Sequence, residues 1–210
     1  RKEKNCVNNE CTKPAIPDFP ELTFEEKGHT YHLNGLEVPS VTTVMKPLSN
    51  DFYSTVDPEV LNRAASRGTA IHNAAENYAK FGIEDVPPAY AGYFDGFRQW
   101  WDDAKPEILA TEHKLYHKIL RYAGTADLLC IINGKLTLVD YKTSAQVNTK
   151  LCAIQLEAYD RALESHGIKV EDRLILHLSK TGHKAVRFPR SGKCWSVFSA
   201  LLTIKNYMDE

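Results

Sequence analysis

Gly124-Thr-Ala-Asp-Leu-Leu-Cys-Ile-Ile-Asn-Gly-Lys-Leu-Thr-Leu-Val-Asp-Tyr-Lys142 is the stretch from which the rest of the chain can be read. Two β-rich apolar runs, Leu128–Ile132 and Leu136–Val139, flank Asn133-Gly134, the strongest short-range signal for a two-residue type I′ turn. A turn of two residues sets the register, so facing residues have numbers that sum to 267, as Ile132 and Lys135 do. Asp127 and Asp140 obey the same sum. Without a bulge they face each other with Cβ atoms roughly 4.5–5.5 Å apart. Lys142, two residues beyond Asp140, falls on the same face of its strand.

Like charges placed opposite each other destabilise a sheet. A divalent cation between two carboxylates removes the problem, since hard ions such as Mg²⁺ take carboxylate oxygens, and a neighbouring lysine can neutralise a phosphate brought to the metal. The plainer alternative is a hairpin whose polar face meets solvent. The register and the apolar neighbours of the two aspartates argue against it.

With 210 residues, 43% of them hydrophobic, the chain is long enough for one sizeable core or at most two small domains. A net charge of −1 excludes a strongly basic coat, so any nucleic-acid contact must come from local clustering. No run of 18 apolar residues and no signal-peptide pattern occur, so no membrane span is expected. The start at Arg1 rather than Met suggests a trimmed or processed N-terminus. Five cysteines are an odd number, and Cys130 and Cys152 fall in apolar or helical patterns, as reduced core thiols do. A reducing, cytoplasmic compartment is the expectation. Cys6 and Cys11 make a C-x4-C pair that can be half a metal site. Cys194 is the only other candidate cysteine, however, and His113 and His117 stand far from finger spacing, so structural zinc is not expected.

Residues 1–21 are polar and Pro-punctuated and read as an extended arm; residues 22–210 read as a single domain. Thr23–Lys27 and His29–Leu33 alternate as short strands before a second Asn-Gly at 34–35, predicting a small β-ribbon. Pro39-Ser-Val-Thr-Thr-Val44 then enters a helix. Ser40 is read as its N-cap in preference to a phosphate ligand, although a helix N-terminus with free hydroxyls can hold one. Asp57-Pro58 opens a helix running to Lys80, with an apolar stripe of Leu61, Ala64, Ala65, Ile71, Ala75 and Tyr78. Gly68, His72 and Glu76 form a second stripe at i, i+4, i+8, in which His72 can ligate a metal with a carboxylate nearby to orient it.

A helix over Tyr90–Ala104 carries Tyr93, Phe94, Phe97, Trp100 and Trp101, read as core in preference to a base-stacking surface. Glu107–His117 reads as a strand with Ile108, Ala110, Glu112 and Lys114 on one face. Glu112 is a candidate third carboxylate and equally an ordinary exposed strand glutamate. A helix over Thr149–His166 stops at Gly167 and places Gln155 and Tyr159 on one face. Arg173–Leu178 and Ala185–Phe188 read as strands, and Gly192–Met208 as a final amphipathic helix.

In this order the pieces resemble the PD-(D/E)XK nuclease superfamily, and within it the RecB-like, phage-type exonuclease branch. The resemblance rests on Gly68-Thr-Ala-Ile-His72, Glu112, Gly124-Thr-Ala-Asp127, Asp140-Tyr-Lys142-Thr143 and Gln155-Leu-Glu-Ala-Tyr159. Pro39-Ser-Val-Thr-Thr43 further resembles mitochondrial genome maintenance exonucleases. The match spans roughly residues 30–165. It implies a restriction-endonuclease-like αβββαβ core, a central mixed sheet flanked by helices. It implies that His72, Asp127, Asp140 and the carbonyl of Tyr141 bind Mg²⁺ or Mn²⁺, and that Lys142 is catalytic, with Gln155 and Tyr159 as the motif after the catalytic strand. Cas4-like relatives hold an iron–sulfur cluster on one early and three late cysteines. Only Cys194 is late here, so no cluster is expected.

The expected activity is metal-dependent DNA hydrolysis, as an exonuclease in preference to an endonuclease, in recombination, repair or phage DNA processing. Glu112 is expected to hold a second ion or orient the nucleophile. Ser40, Thr42, Thr43, Arg67 and Lys150 are candidates for gripping the backbone of a DNA strand or strand end. Processivity would need a helicase or recombination partner. The rival from another class is a catalytically silent nuclease-like module that binds DNA or protein; it predicts a missing ligand or lysine, and none is missing.

Overall fold

A computed structural model describes residues 14–209. Cys6, Cys11 and most of the expected arm lie outside the described residues. Residues 14–21 contain neither helix nor strand, yet Ile16 and Phe19 pack on the core and Glu21 accepts a 2.6 Å hydrogen bond from the Tyr116 hydroxyl.

A three-stranded antiparallel ribbon follows, β1 (Leu22–Glu25), β2 (Thr30–Leu33) and β3 (Leu36–Val38). The first two strands are shorter than expected because the chain turns between them, with Gly28 and His29 both at positive φ. Next come α1 (Val41–Val44) and α2 (Lys46–Tyr53), then α3 (Pro58–Phe81), a 3₁₀ turn at Pro88–Tyr90, and α4 (Ala91–Ala104). The helix expected after Pro39 is thus a single turn, and α2 was not anticipated. The remaining elements are β4 (Glu107–Tyr116), β5 (Ala123–Ile132), β6 (Lys135–Lys142), α5 (Thr149–Ser165), β7 (Asp172–Ser179), β8 (Gly182–Arg187) and α6 (Gly192–Asp209).

β4 to β8 form one mixed sheet in sequential order, antiparallel throughout except for the parallel β6–β7 pair. Parallel neighbours need a crossover, which α5 provides. The expected succession of helix, three strands, helix and strand is therefore present, with α4 inserted after the first helix. Layers cover both faces of the sheet, as alternation demands. Leu129, Leu138 and Ile175 point to the side packed by α1, α5 and α6. Leu128, Val139, Tyr141 and Leu176 point to the side packed by α3 and α4, where Phe94, Phe97 and Trp100 are buried as core. Burying each such side chain contributes about 1.5–3 kcal/mol.

Local signals explain the element ends. Asn133 and Gly134 both sit at positive φ (50° and 75°), as a type I′ turn requires, and pairs from Ile132↔Lys135 to Leu128↔Val139 keep the expected register. Asp57 caps α3 by accepting from the Glu59 N–H at 2.7 Å. In α3 the buried residues are Ile71, Ala74 and Ala75, whereas Ala65 is exposed: the face turned to the sheet is narrower than the stripe expected. In β4 a register shift between Ile108 and Ala110 breaks the alternation that would have put Ile108, Ala110, Glu112 and Lys114 on one face. Cys130 and Cys152 are buried free thiols. Among the described residues, no helix is long and apolar enough to cross a membrane.

Candidate metal and active site

The site lies at the end of the β5–β6 hairpin remote from its turn. Asp140 and Lys142 share strand parity with Leu138 and so belong to the α5 side, whereas Asp127 stands where alternation on β5 breaks, between Ala126 and Leu129 on the α5 side, and meets His72 arriving from α3. The β5–β6 ladder is recorded as far as Leu128↔Val139, one step short of the two aspartates. There a side chain takes over from the backbone, as Asp127 Oδ2 accepts the Tyr141 N–H at 2.6 Å. Asp140 Oδ2 lies 2.6 Å from Lys142 Nζ.

His72 joins three elements. Its Nδ1 stands 3.4 Å from Asp127 Oδ1 and 3.8 Å from Glu112 Oε1, and its Nε2 is 3.2 Å from the Tyr141 carbonyl. Glu112 is half-buried and its Oε1 is buried without a hydrogen-bond partner. Its backbone holds φ = 45°, a left-handed conformation rare for a residue with a side chain. Thr111↔Leu128 and His113↔Ala126 flank it, so Glu112 lies beside Asp127. Donor atoms of His72, Glu112 and Asp127 all fall within 4.8 Å of one another. The Glu112 oxygen, without a hydrogen bond among the described residues, and the all-N/O donor set suit a divalent cation.

The electrostatics reflect this crowding. Burial, and next the charge of Asp127, push Glu112 up to about 7. Burial opposes protonation of His72, but the charge and hydrogen bond of Asp127, with Asp140 and Glu112 behind, carry it up to about 9. Burial also raises Asp140 above the usual carboxylate range, with Lys142 working against it. For Asp127 burial is outweighed by His72, Lys142 and the Tyr141 N–H, and its pKa falls. Lys142 is held above the ordinary lysine value by Asp140 and Asp127 despite its burial.

On α5, Gln155 Nε2 donates to the Tyr159 hydroxyl at 3.1 Å. The Tyr159 ring lies so close to Gly124 that a Cβ there would meet its Cε1 at 2.5 Å, which explains a glycine in the middle of a buried strand. A cavity of about 350 Å³ opens over these residues, lined by His72, Lys142, Thr143 and Gln155.

Of the five candidate DNA-gripping residues, Ser40, Thr42 and Thr43 are joined by hydrogen bonds, Ser40 Oγ lying 3.0 Å from Thr42 Oγ1 and 2.9 Å from Thr43 Oγ1, while Arg67 and Lys150 stand elsewhere. Thr42 lines the site cavity, whereas Ser40 and Thr43 line a separate one with Lys46 and Lys205. Ser40 is the cap it was expected to be, accepting from the Thr43 N–H at 3.0 Å. Arg67 donates to the Thr143 carbonyl at 2.9 Å, and its guanidinium lies 5.0 Å from the Tyr93 ring centre. Lys150 is exposed in the first turn of α5 and lines neither the site cavity nor that of Ser40. Tyr53 and Ser49 of α2 and Asn148, the cap of α5, also line the site cavity and were missed. Asn148 could have been found from its place just before a helical pattern; α2 carries no comparable signal.

No family model matches the sequence. No curated protein matches it either. Solved structures similar to the chain include an alkaline exonuclease, LHK-Exo, from Laribacter hongkongensis. It is 9% identical over 80% of this chain and 84% of that one, with a TM-score of 0.46. LHK-Exo in complex with dAMP is 10% identical over 80% and 85%, at the same TM-score. SSO0001 is 13% identical over 80% and 85%, with a TM-score of 0.37. Likeness at this level bears on neither the activity nor the site residues of this chain.

Proposed function

We propose that the protein is a divalent-metal-dependent deoxyribonuclease that hydrolyses DNA phosphodiester bonds, working from strand ends as an exonuclease. The observation that carries this reading is the crowding of three carboxylates, Glu112, Asp127 and Asp140, against two cationic side chains, His72 and Lys142, the latter on the same strand as Asp140. Carboxylates so placed, with Oε1 of Glu112 lacking a hydrogen bond among the described residues, suit a further cation. His72, Glu112 and Asp127 would hold it, with Asp140 and the Tyr141 carbonyl as further oxygen donors. When bound, a Mg²⁺ or Mn²⁺ ion supplies Lewis acidity toward a phosphoryl oxygen and a lowered pKa for coordinated water.

The chain's own groups do the rest. Lys142 stays charged through the working pH range and stabilises negative charge that grows on the phosphate during attack. Asp140 fixes the ammonium group in place at 2.6 Å. Tyr159, wedged against Gly124, orients Gln155 so that its amide faces the cavity holding Lys142. Arg67 is a candidate for binding the DNA backbone beside the site, and a helicase or recombination protein is a candidate partner.

The test is digestion of end-labelled linear DNA and of a circle of the same sequence, with Mg²⁺ or Mn²⁺. Linear DNA should be degraded and the circle spared, and Asp140→Ala and Lys142→Ala should each abolish digestion. An inert native protein, or variants as active as the native one, would sink the assignment. Digestion of the circle would reassign it as an endonuclease.

A further inference from the structure

A second cavity, of about 740 Å³, adjoins the site cavity, and Tyr53, Ala64 and Ser144 line both. Its size falls within the roughly 300–1,000 Å³ usual for ligand sites. Four aromatic side chains line it: Phe52 and Tyr53 from α2, Tyr90 from the 3₁₀ turn and Tyr93 from α4. So do the cations Arg63, Arg67 and Lys180, and no Asp or Glu among the described residues lines either cavity. In a chain with 27 acids to 26 basic residues, such a wall is a local concentration of positive charge. Arg63 is drawn on by Glu59 at 3.7 Å. Arg67 is directed inward, over Tyr93 and onto the Thr143 carbonyl, and its buried Nε has no hydrogen-bond partner.

Aromatic faces and cations together match one class of ligand, a nucleotide with an exposed base and a charged phosphate. In a duplex the π-faces are covered by neighbouring base pairs, so rings can stack only on bases that have left the helix. We propose that this cavity binds an unpaired base of the DNA strand whose adjoining phosphodiester lies at Lys142, with Arg67 and Lys180 on the backbone phosphates. The protein is thereby selective for single-stranded or frayed ends. This inference rests on the nuclease reading and gives that site its substrate class. It also divides the aromatic residues of α4: Phe94, Phe97 and Trp100 are buried core, while half-buried Tyr93 faces the cavity.

Binding measured without metal separates this from the chemistry. In EDTA, fluorescence anisotropy would follow a dye-labelled 12-nucleotide single strand, the same strand with abasic residues, and a blunt duplex of the same sequence. The abasic strand and the duplex should each bind about tenfold or more weakly, the loss expected when a base–aromatic stack is removed. Tyr93→Leu and Tyr53→Leu should each weaken binding of the normal strand about tenfold and leave that of the abasic strand unchanged. The abasic comparison requires no variant to fold. Equal affinity for normal and abasic strands, equal affinity for the duplex, or no binding at all would overturn the inference. Base-dependent binding without digestion in any metal would support it and overturn the catalytic reading. Digestion accompanied by base-independent binding would do the reverse.

Discussion

Two charge clusters adjoin α5 and follow opposite plans: one is built on its own carboxylates, the other on residues of α3, β4, β5 and β6. Along the C-terminal half of α5, beside the start of β7, Arg173 Nη1 contacts Glu157 at 2.6 Å and Asp160 at 3.0 Å. Arg190 grips Asp160 and Glu164, Arg161 bonds Glu157 and Glu164, and the Ser191 N–H donates to Glu157. Three carboxylates meet three guanidinium groups, and the contacts satisfy both Glu157 and Asp160. At the other cluster three carboxylates, Glu112, Asp127 and Asp140, meet one lysine and one histidine, and a buried oxygen is left over. Burying charge is expensive, so a balanced cluster reads as structure and an unbalanced one as a place kept for a ligand. Burial is common to both; closure of the charge balance separates them.

The sharpest break in that comparison is removal of Arg173. Arg173→Met leaves Glu157 and Asp160 buried with less compensation and should cost about 3–5 kcal/mol of folding stability, measured by urea unfolding. Divalent ions should not restore the loss. Recovery with millimolar Mg²⁺ would mean that the balanced cluster binds metal after all.

The opposite response is expected at the site. Adding Mn²⁺ or Mg²⁺ at about a hundred times its dissociation constant should stabilise the native protein by about 2.7 kcal/mol, seen as a rise in melting temperature. Asp127→Asn and His72→Ala should abolish that rise, while Arg173→Lys should keep it. A rise that survives in Asp127→Asn would move the ion elsewhere.

Because α5 serves both clusters, its seating on the sheet can be probed through Gly124. Gly124→Ala would bring a Cβ to 2.5 Å from the buried Tyr159 ring, so helix or strand must shift, at a cost of about 1–3 kcal/mol. Activity should fall further than stability alone accounts for, because Gln155 is oriented through Tyr159. The double variant Gly124→Ala with Tyr159→Leu should regain part of the stability but not the activity. Equal activity in native and Gly124→Ala protein would detach Gln155 from the site.

Much of this was legible in the chain because its signals are local. Asn133-Gly134 set the register that brings Asp127 and Asp140 to one end of the hairpin, and Asp57 and Ser40 marked their helices. What could not be read depends on distant partners. Arg173 looked like an ordinary strand residue, since its acids lie 13 and 16 positions earlier on a helix whose facing is decided by packing. The irregularity near Ala110 and the left-handed backbone of Glu112 leave no mark in Glu107–Tyr116. α2 buries none of its residues fully, so no apolar period announced it, although its Tyr53 stands between the two cavities. Asp127 and Asp140 were expected to act alike. Their other contacts differ: Asp127 accepts a backbone N–H, while Asp140 pairs with Lys142.

The smallest expected effect bears most directly on the unbalanced charge. Glu112 has a pKa pushed up from 4.5 to about 7, so between those values the folded, metal-free protein holds a proton that the unfolded chain has released. Its contribution to stability is then fully present below pH 4.5 and lost as the pH rises through 7. Glu112→Gln fixes the neutral state. In EDTA it should leave stability at pH 5 nearly unchanged and raise it at pH 8 by on the order of 1 kcal/mol, since an uncompensated buried charge is removed. With Mn²⁺ at pH 8 the order should invert, the native protein gaining from the ion and the variant gaining less. Urea unfolding at both pH values, with and without metal, reads all four states. Parallel pH curves for the native protein and Glu112→Gln in EDTA would show that Glu112 is already satisfied, and the contrast between the two clusters would then lose its basis.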